Sequence, residues 1–136
     1  FKLTIMKTIN NSLILTKDDH NLLLSYLKGW WHNRNVDRRF AEALQDDLKS
    51  AHLVDTKDAP ADVVRLNSKV KIKTADKDDV MELTLVTPEE ANIKEKKISI
   101  MAPIGTALIG FRKGQKVKWN MPSGKKVYTI LDVING

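Results

Sequence analysis

The chain contains no cysteine. That absence excludes a disulfide framework, a thiol nucleophile and any zinc site built on thiolates, and it suits a reducing, cytoplasmic setting. Long apolar runs are also missing. None approaches the ~20 residues that cross a bilayer, so no membrane partner is expected. The opening Phe1-Lys2-Leu3-Thr4-Ile5-Met6-Lys7 is too short and too interrupted for a secretory signal. Met6 reads as the natural start, with Phe1 to Ile5 set aside from fold reasoning. The chain has no Ser-His-Asp pattern, P-loop, glycine-rich nucleotide fingerprint or internal repeat. Its three histidines, His20, His32 and His52, stand far apart. None lies at ligand spacing from a second histidine or an acidic partner, so neither a metal nor another cofactor is expected.

What remains is 136 residues, enough for one medium domain or a small domain with an appendage. The net charge of +6 is unevenly placed. Residues 1–62 hold nine Lys and Arg against nine Asp and Glu, whereas residues 63–136 hold fourteen against eight. A basic half attracts nucleic acid or acidic protein surface, although lysines along strands also serve as a plain solvated face.

Thr16 followed by Asp19 reads as a capping signal, with the hydroxyl accepting an early N–H and the carboxylates of Asp18 and Asp19 favoured at the positive helix end. Leu23, Leu27 and Trp30 or Trp31 then recur at helical spacing, predicting a helix through about residue 31. Gly29 to Asp37 interrupts the pattern. Phe40, Leu44, Leu48 and Ala51 resume it, with Asp37 available as N-cap. Two apolar stripes joined by a short turn imply an antiparallel hairpin, and helices of ~13 residues make an arm only ~20 Å long. Trp30, Trp31, Arg34 and Asp37 mark its tip. The preferred role for the tryptophans is packing, one closing the hairpin and the other against the second domain. Aromatic and arginine side chains are also suited to stacking on RNA bases.

The polar stretch from Val54 to Asp62, with Pro60, reads as a linker, so the boundary is placed near residue 60. Beyond it, Val70–Thr74, Val80–Thr87, Lys97–Met101, Gln115–Asn120 and Lys126–Ile134 are alternating or β-branched-rich and read as five strands. Asp76 to Asp79 and Pro122-Ser123-Gly124 supply turns between pairs. Pro103 suits the first turn of a short helix over 103–109, and Gly110 a left-handed stop. The fold class is therefore α+β: a helical hairpin over 1–60, then an antiparallel sheet with one helix over 61–136.

The second half resembles a known family. Val63-Val64-Arg65-Leu66-Asn67-Ser68-Lys69-Val70, Thr84-Leu85-Val86-Thr87-Pro88, Ile98-Ser99-Ile100-Met101-Ala102-Pro103-Ile104-Gly105, Gly114-Gln115-Lys116-Val117-Lys118-Trp119 and Pro122-Ser123-Gly124 follow one another as in the C-terminal domain of the Gre transcription elongation factors and their Rnk relatives, the regulators of nucleoside diphosphate kinase. The resemblance covers Ala61 to about Ile134. It implies an FKBP-like domain that docks on bacterial RNA polymerase near its secondary channel, with the hairpin directed inward. It also implies docking through Met101, Ala102, Pro103, Ile104, Gly105 and Leu108, although Leu108 and Ile109 read better as helix core.

Gre factors carry paired acidic residues at the hairpin tip to help hold a second magnesium ion for transcript cleavage. Here the tip, Gly29 to Arg39, has one carboxylate among three arginines, and one carboxylate gives a hard cation little charge or geometry. A short arm without an acidic tip matches the Rnk type, so a non-catalytic polymerase-binding regulator that competes with cleavage factors is expected. Prolyl isomerisation, known for FKBP-type folds, is not, because the sheet half offers only Phe111, Trp119 and Tyr128 as aromatics. The alternatives are an authentic cleavage factor, or a free nucleic-acid binder using Lys69, Lys71, Lys73, Lys116, Lys118, Lys125 and Lys126. Oligomeric state is left open, since two tryptophans in a stubby arm also suit a dimer contact.

Overall fold

The structure, a computed structural model, describes residues 13–30, 38–74, 79–121 and 124–135. A short strand β1 (Ile14–Thr16) leads into helix α1 (Lys17–Trp30), followed by helix α2 (Arg38–Ser50) and strand β2 (His52–Val54). The remainder forms strands β3 (Lys69–Thr74), β4 (Val80–Val86) and β5 (Lys97–Ser99), helix α3 (Pro103–Leu108) and strands β6 (Lys116–Met121) and β7 (Gly124–Ile134).

Helix α1 starts as its sequence prescribes. The Thr16 hydroxyl accepts the Asp19 N–H at 3.0 Å, Asp18 and Asp19 lie in the first turn, and Lys28 lies in the last. These placements satisfy an otherwise unpaired donor and complement the helix dipole. Leu23 and Leu27 are buried on one side of α1, and Ala41, Leu44 and Leu48 on one side of α2. His20 Nε2 donates to the carbonyl of Leu48 at 3.0 Å. That contact sets the start of α1 beside the end of α2, so the helices run antiparallel. His20 is thus tied to backbone, and His52 is exposed. Asp37, expected to cap the second helix, lies outside the described residues.

Two elements went unanticipated: β1 and β2, which pair in parallel with Ile14 opposite His52 and Thr16 opposite Val54. They plant the hairpin on the sheet half. Ile14 N–H donates to the Gly110 carbonyl at 3.0 Å, and Gly110 N–H donates to the Val64 carbonyl at 2.9 Å. Gly110 has φ of +88°, and a Cβ there would stand 3.2 Å from Leu15 Cδ2 and 3.3 Å from Leu13 Cβ. The expected left-handed conformation is present, but α3 has already ended at Leu108, with Ile109 extended between them. Glycine at 110 also lets the foot of the hairpin approach.

The five strands after residue 60 form one sheet in the order β5-β4-β3-β7-β6. Pairs β3–β4, β3–β7 and β6–β7 are antiparallel, and β7 carries an irregularity opposite Lys71 and Ile72. The expectation of a wholly antiparallel sheet needs correction, because β5 runs parallel to β4. The intervening chain winds through 3₁₀ turns at Pro88–Glu90 and Ile93–Glu95 and returns to the level of Thr84, so β5 runs beside the last three residues of β4. Side-chain alternation does not encode strand direction, so the sequence carried no sign of this. Strand β5 also ends before the expected Met101. Ser99 closes a turn there, its hydroxyl accepting the Met101 N–H at 2.9 Å and its carbonyl the Ala102 N–H at 3.0 Å.

One side of the sheet is buried through Val70, Ile72, Leu83, Leu85, Tyr128 and Ile130. These residues join the hairpin's leucines in one continuous apolar core. Each such side chain contributes roughly 1.5–3 kcal/mol on burial.

Candidate docking surface

The segment that follows the Ser99 turn is built to present three residues. Pro103 occupies the first turn of α3, where its missing N–H costs nothing. The Ala102 carbonyl accepts the Thr106 N–H at 2.9 Å, and the Thr106 hydroxyl donates to the Pro103 carbonyl at 3.0 Å. Pro103 is exposed, and Ala102 and Ile104 are half-buried. Met101 and Leu108 are buried at 2% and 0% exposure, so their side chains hold the surface from beneath. Gly105 is buried for a different reason: a Cβ there would lie 2.2 Å from the Ser99 carbonyl oxygen. Only glycine lets α3 sit this close to the end of β5. The helix sequence, Pro-Ile-Gly-Thr-Ala-Leu, has no ionisable side chain, so a partner would be gripped there by apolar contact and shape.

A second set of contacts fixes the hairpin against this body. Asp19 is buried, and its Oδ2 accepts the Leu66 N–H at 3.1 Å. Burial pushes its carboxyl pKa up. The Leu66 hydrogen bond and the nearby Arg65 charge pull the other way without prevailing. Along the same junction, the Thr56 hydroxyl donates to Asp18 Oδ2 at 3.2 Å, and Lys17 Nζ pairs with Asp55 at 3.1 Å. Further along the arm, the Tyr26 hydroxyl donates to Glu89 Oε1 at 2.6 Å. This hydrogen bond raises the tyrosine pKa and lowers that of the carboxyl. Sequence reasoning gave Asp19 its role at the helix start but missed its reach to Leu66, 47 residues away, because no local pattern records such a contact.

At the hairpin tip, Trp30 is half-buried and packs against the core. Trp31, Arg34 and Asp37 lie outside the described residues. Neither acidic pair of the hairpin is at its tip: Asp18 and Asp19 sit at the base, and Asp46 and Asp47 within α2. Among the described residues, no three acidic or histidine side chains gather closely enough to hold a metal ion. No described helix is long and apolar enough to cross a membrane.

Similarity to known proteins falls on the same half of the chain. The family described as transcription elongation factor, GreA/GreB, C-term, matches residues 59–135. The regulator of nucleoside diphosphate kinase of Escherichia coli (strain K12) is 37% identical over 94 residues, which cover 69% of this chain and 68% of that protein. Transcription elongation factor GreA of Clostridium botulinum (strain Eklund 17B / Type B) is 38% identical over 104 residues, 74% of this chain and 65% of the relative. Among solved structures, a prokaryotic transcription elongation factor GreA/GreB from Nitrosomonas europaea superposes with a TM-score of 0.73 at 29% identity, covering 90% of this chain and 99% of that one. A family match across more than half the chain, relatives above 35% identity and a shared hairpin-and-sheet fold together mean that this chain belongs to the GreA/GreB transcription elongation factor family.

Proposed function

We propose that the protein is a non-catalytic regulator of transcription that docks on bacterial RNA polymerase near the secondary channel. In this reading, residues 61–136 form an FKBP-like docking body and residues 1–60 an arm aimed into the channel. Ala102, Pro103 and Ile104 make the apolar contact, while Met101, Gly105 and Leu108 hold its shape. The observation that carries the reading is the length of the arm. Helices of 14 and 13 residues reach only ~20 Å, and the tip sequence from Gly29 to Arg39 supplies a single carboxylate among three arginines. Such an arm brings too little negative charge to a magnesium-dependent centre to assist cleavage. Occupying the site without the chemistry makes the protein a competitor of cleavage-stimulating factors.

The test is retention of purified bacterial RNA polymerase by the parent protein and by a Pro103→Asp, Ile104→Asp double variant whose fold is checked by circular dichroism. The parent should retain polymerase and the folded variant should not. Failure of the parent to bind would refute the docking reading. Transcript cleavage on adding the parent to stalled elongation complexes would instead identify an authentic cleavage factor.

A further inference from the structure

We propose that the outer face of the sheet is a binding surface for the phosphate backbone of duplex DNA. The strand register gathers a large part of the charge excess of the C-terminal half on this face. Lys69, Lys71 and Lys73 alternate with buried Val70 and Ile72 along β3, which places all three lysines on the side away from the core. Lys97 joins them through Thr84, which pairs with both Lys97 and Lys69. Lys116 joins through Thr129, the partner of Lys73, and Lys118 follows two residues along β6. Three carboxylates interrupt the set: Glu82 and Asp132, each opposite Lys71, with Asp132 also reached by Lys113 Nζ at 3.6 Å, and Glu95, whose Oε1 lies 3.2 Å from Lys97 Nζ. Six lysines against three carboxylates leave +3 on one sheet face, in a chain whose whole net charge is +6.

Three features favour a duplex over other anionic partners. Lysines two apart on a strand are ~6.8 Å apart, and β3 and β6, flanking β7, are separated by ~9.5 Å. Such a lattice of point charges suits a polyanion that carries a phosphate charge every ~1.7 Å of its axis, whatever the register. An acidic protein would need apolar anchors as well, yet among the described residues of this face the large exposed apolar side chains, Val80 and Ile134, lie at strand ends. Single-stranded nucleic acid would need aromatic stacking platforms, and the described tyrosine of the sheet, Tyr128, is buried on the opposite side. Lysine rather than arginine on this face predicts binding without sequence preference.

The experiment measures the affinity of the full chain for a short labelled duplex across a salt series, without polymerase, so its outcome is separate from the docking reading. Six phosphate contacts would weaken binding roughly 10³-fold between ~50 and ~200 mM salt. A Lys69→Gln, Lys116→Gln, Lys118→Gln variant, leaving about three contacts, should lose only ~40-fold over the same range and start from a weaker affinity. Replacing the same three lysines by arginine should keep the parental slope. The control replaces Lys28, Lys49 and Lys57, exposed on the hairpin and the segment after it, by glutamine and should match the parent. Equal losses in the two glutamine triples would mean that net charge alone attracts the duplex, and the proposal would fall. It would fall equally if single strands bound as tightly as duplex, or if the parent ignored duplex at ~50 mM salt while polyglutamate retained it, which would assign the face to an acidic protein.

Discussion

Gly105→Ala separates two physical effects of opposite sign. Helix propensity alone favours alanine by up to ~1 kcal/mol inside a helix. The approach of α3 to β5 opposes it, since the new Cβ would meet the Ser99 carbonyl oxygen at 2.2 Å, with the Ile100 Cα at 3.0 Å, where ordinary contact begins at 3.4 Å. Both neighbours are backbone and cannot swing aside. The Ser99 carbonyl is also committed, accepting the Ala102 N–H that closes the turn into α3. Relief therefore requires α3 to lift or that turn to open. Overpacking of this kind costs ~1–3 kcal/mol, and the strained hydrogen bond adds a share of ~1 kcal/mol. We expect a net loss of about 2 kcal/mol, a fall in Tm on the order of 8 °C for a chain of this size, followed by circular dichroism. Gly29→Ala is the control: it lies in the last turn of α1 with nothing within 4 Å of its added Cβ, and should leave Tm unchanged or slightly raised. A Gly105→Ala protein as stable as the parent would refute the close-approach argument.

Gly110→Ala should cost ~1–2 kcal/mol, because alanine is strained at a φ of +88° and its methyl group crowds Leu13 and Leu15; a chemical denaturation midpoint equal to the parent's would contradict this. Asp19 has a folded-state pKa raised above its ordinary 3.8, so the folded protein binds the proton more tightly than the unfolded chain. Stability contributed by this group is therefore lost as pH rises from about that value through the raised one. Asp19→Asn keeps an acceptor for the Leu66 N–H and should flatten that part of the stability–pH curve; an unaltered slope would show that Asp19 is not its source. Asp19→Ala strands the Leu66 N–H and should cost ~1–3 kcal/mol at neutral pH by the same denaturation assay. Ultraviolet titration of the two tyrosines should show Tyr26 deprotonating later than an ordinary phenol, and Glu89→Gln should bring it earlier; no change would break the assigned Tyr26–Glu89 link.

The sequence was most legible where structure is local. Leucine spacing announced both helices, Thr16 and Asp19 marked where α1 begins, and alternation located β3, β4, β6 and β7. Pro103 announced α3 and Gly110 the positive φ. Legibility ended where partners are distant. Strands β1 and β2 have three residues each, too few for a period, and exist because they pair with each other across the hairpin. The direction of β5 follows from the path of two 3₁₀ turns, and the role of Gly105 from a carbonyl six residues back that its neighbours do not signal. Within the candidate surface, α3 and the burial of Leu108 were legible, but the burial of Met101 was not. Only tertiary packing distinguishes exposed Pro103 from buried Met101.

The hydrogen bond from Ile14 to the Gly110 carbonyl gives the molecule a fulcrum. Gly110 lies two residues beyond the end of α3, and Ile14 three residues before the start of α1. A grip on α3 and the direction of the arm are thereby linked through a handful of backbone atoms, with Tyr26 and Glu89 acting as a stay farther out. A partner held at α3 would therefore bear on the same backbone that seats the foot of the arm. In so short a lever, a small tilt at the foot moves the tip little, so the reach of the arm is set by its length and hardly at all by its suppleness.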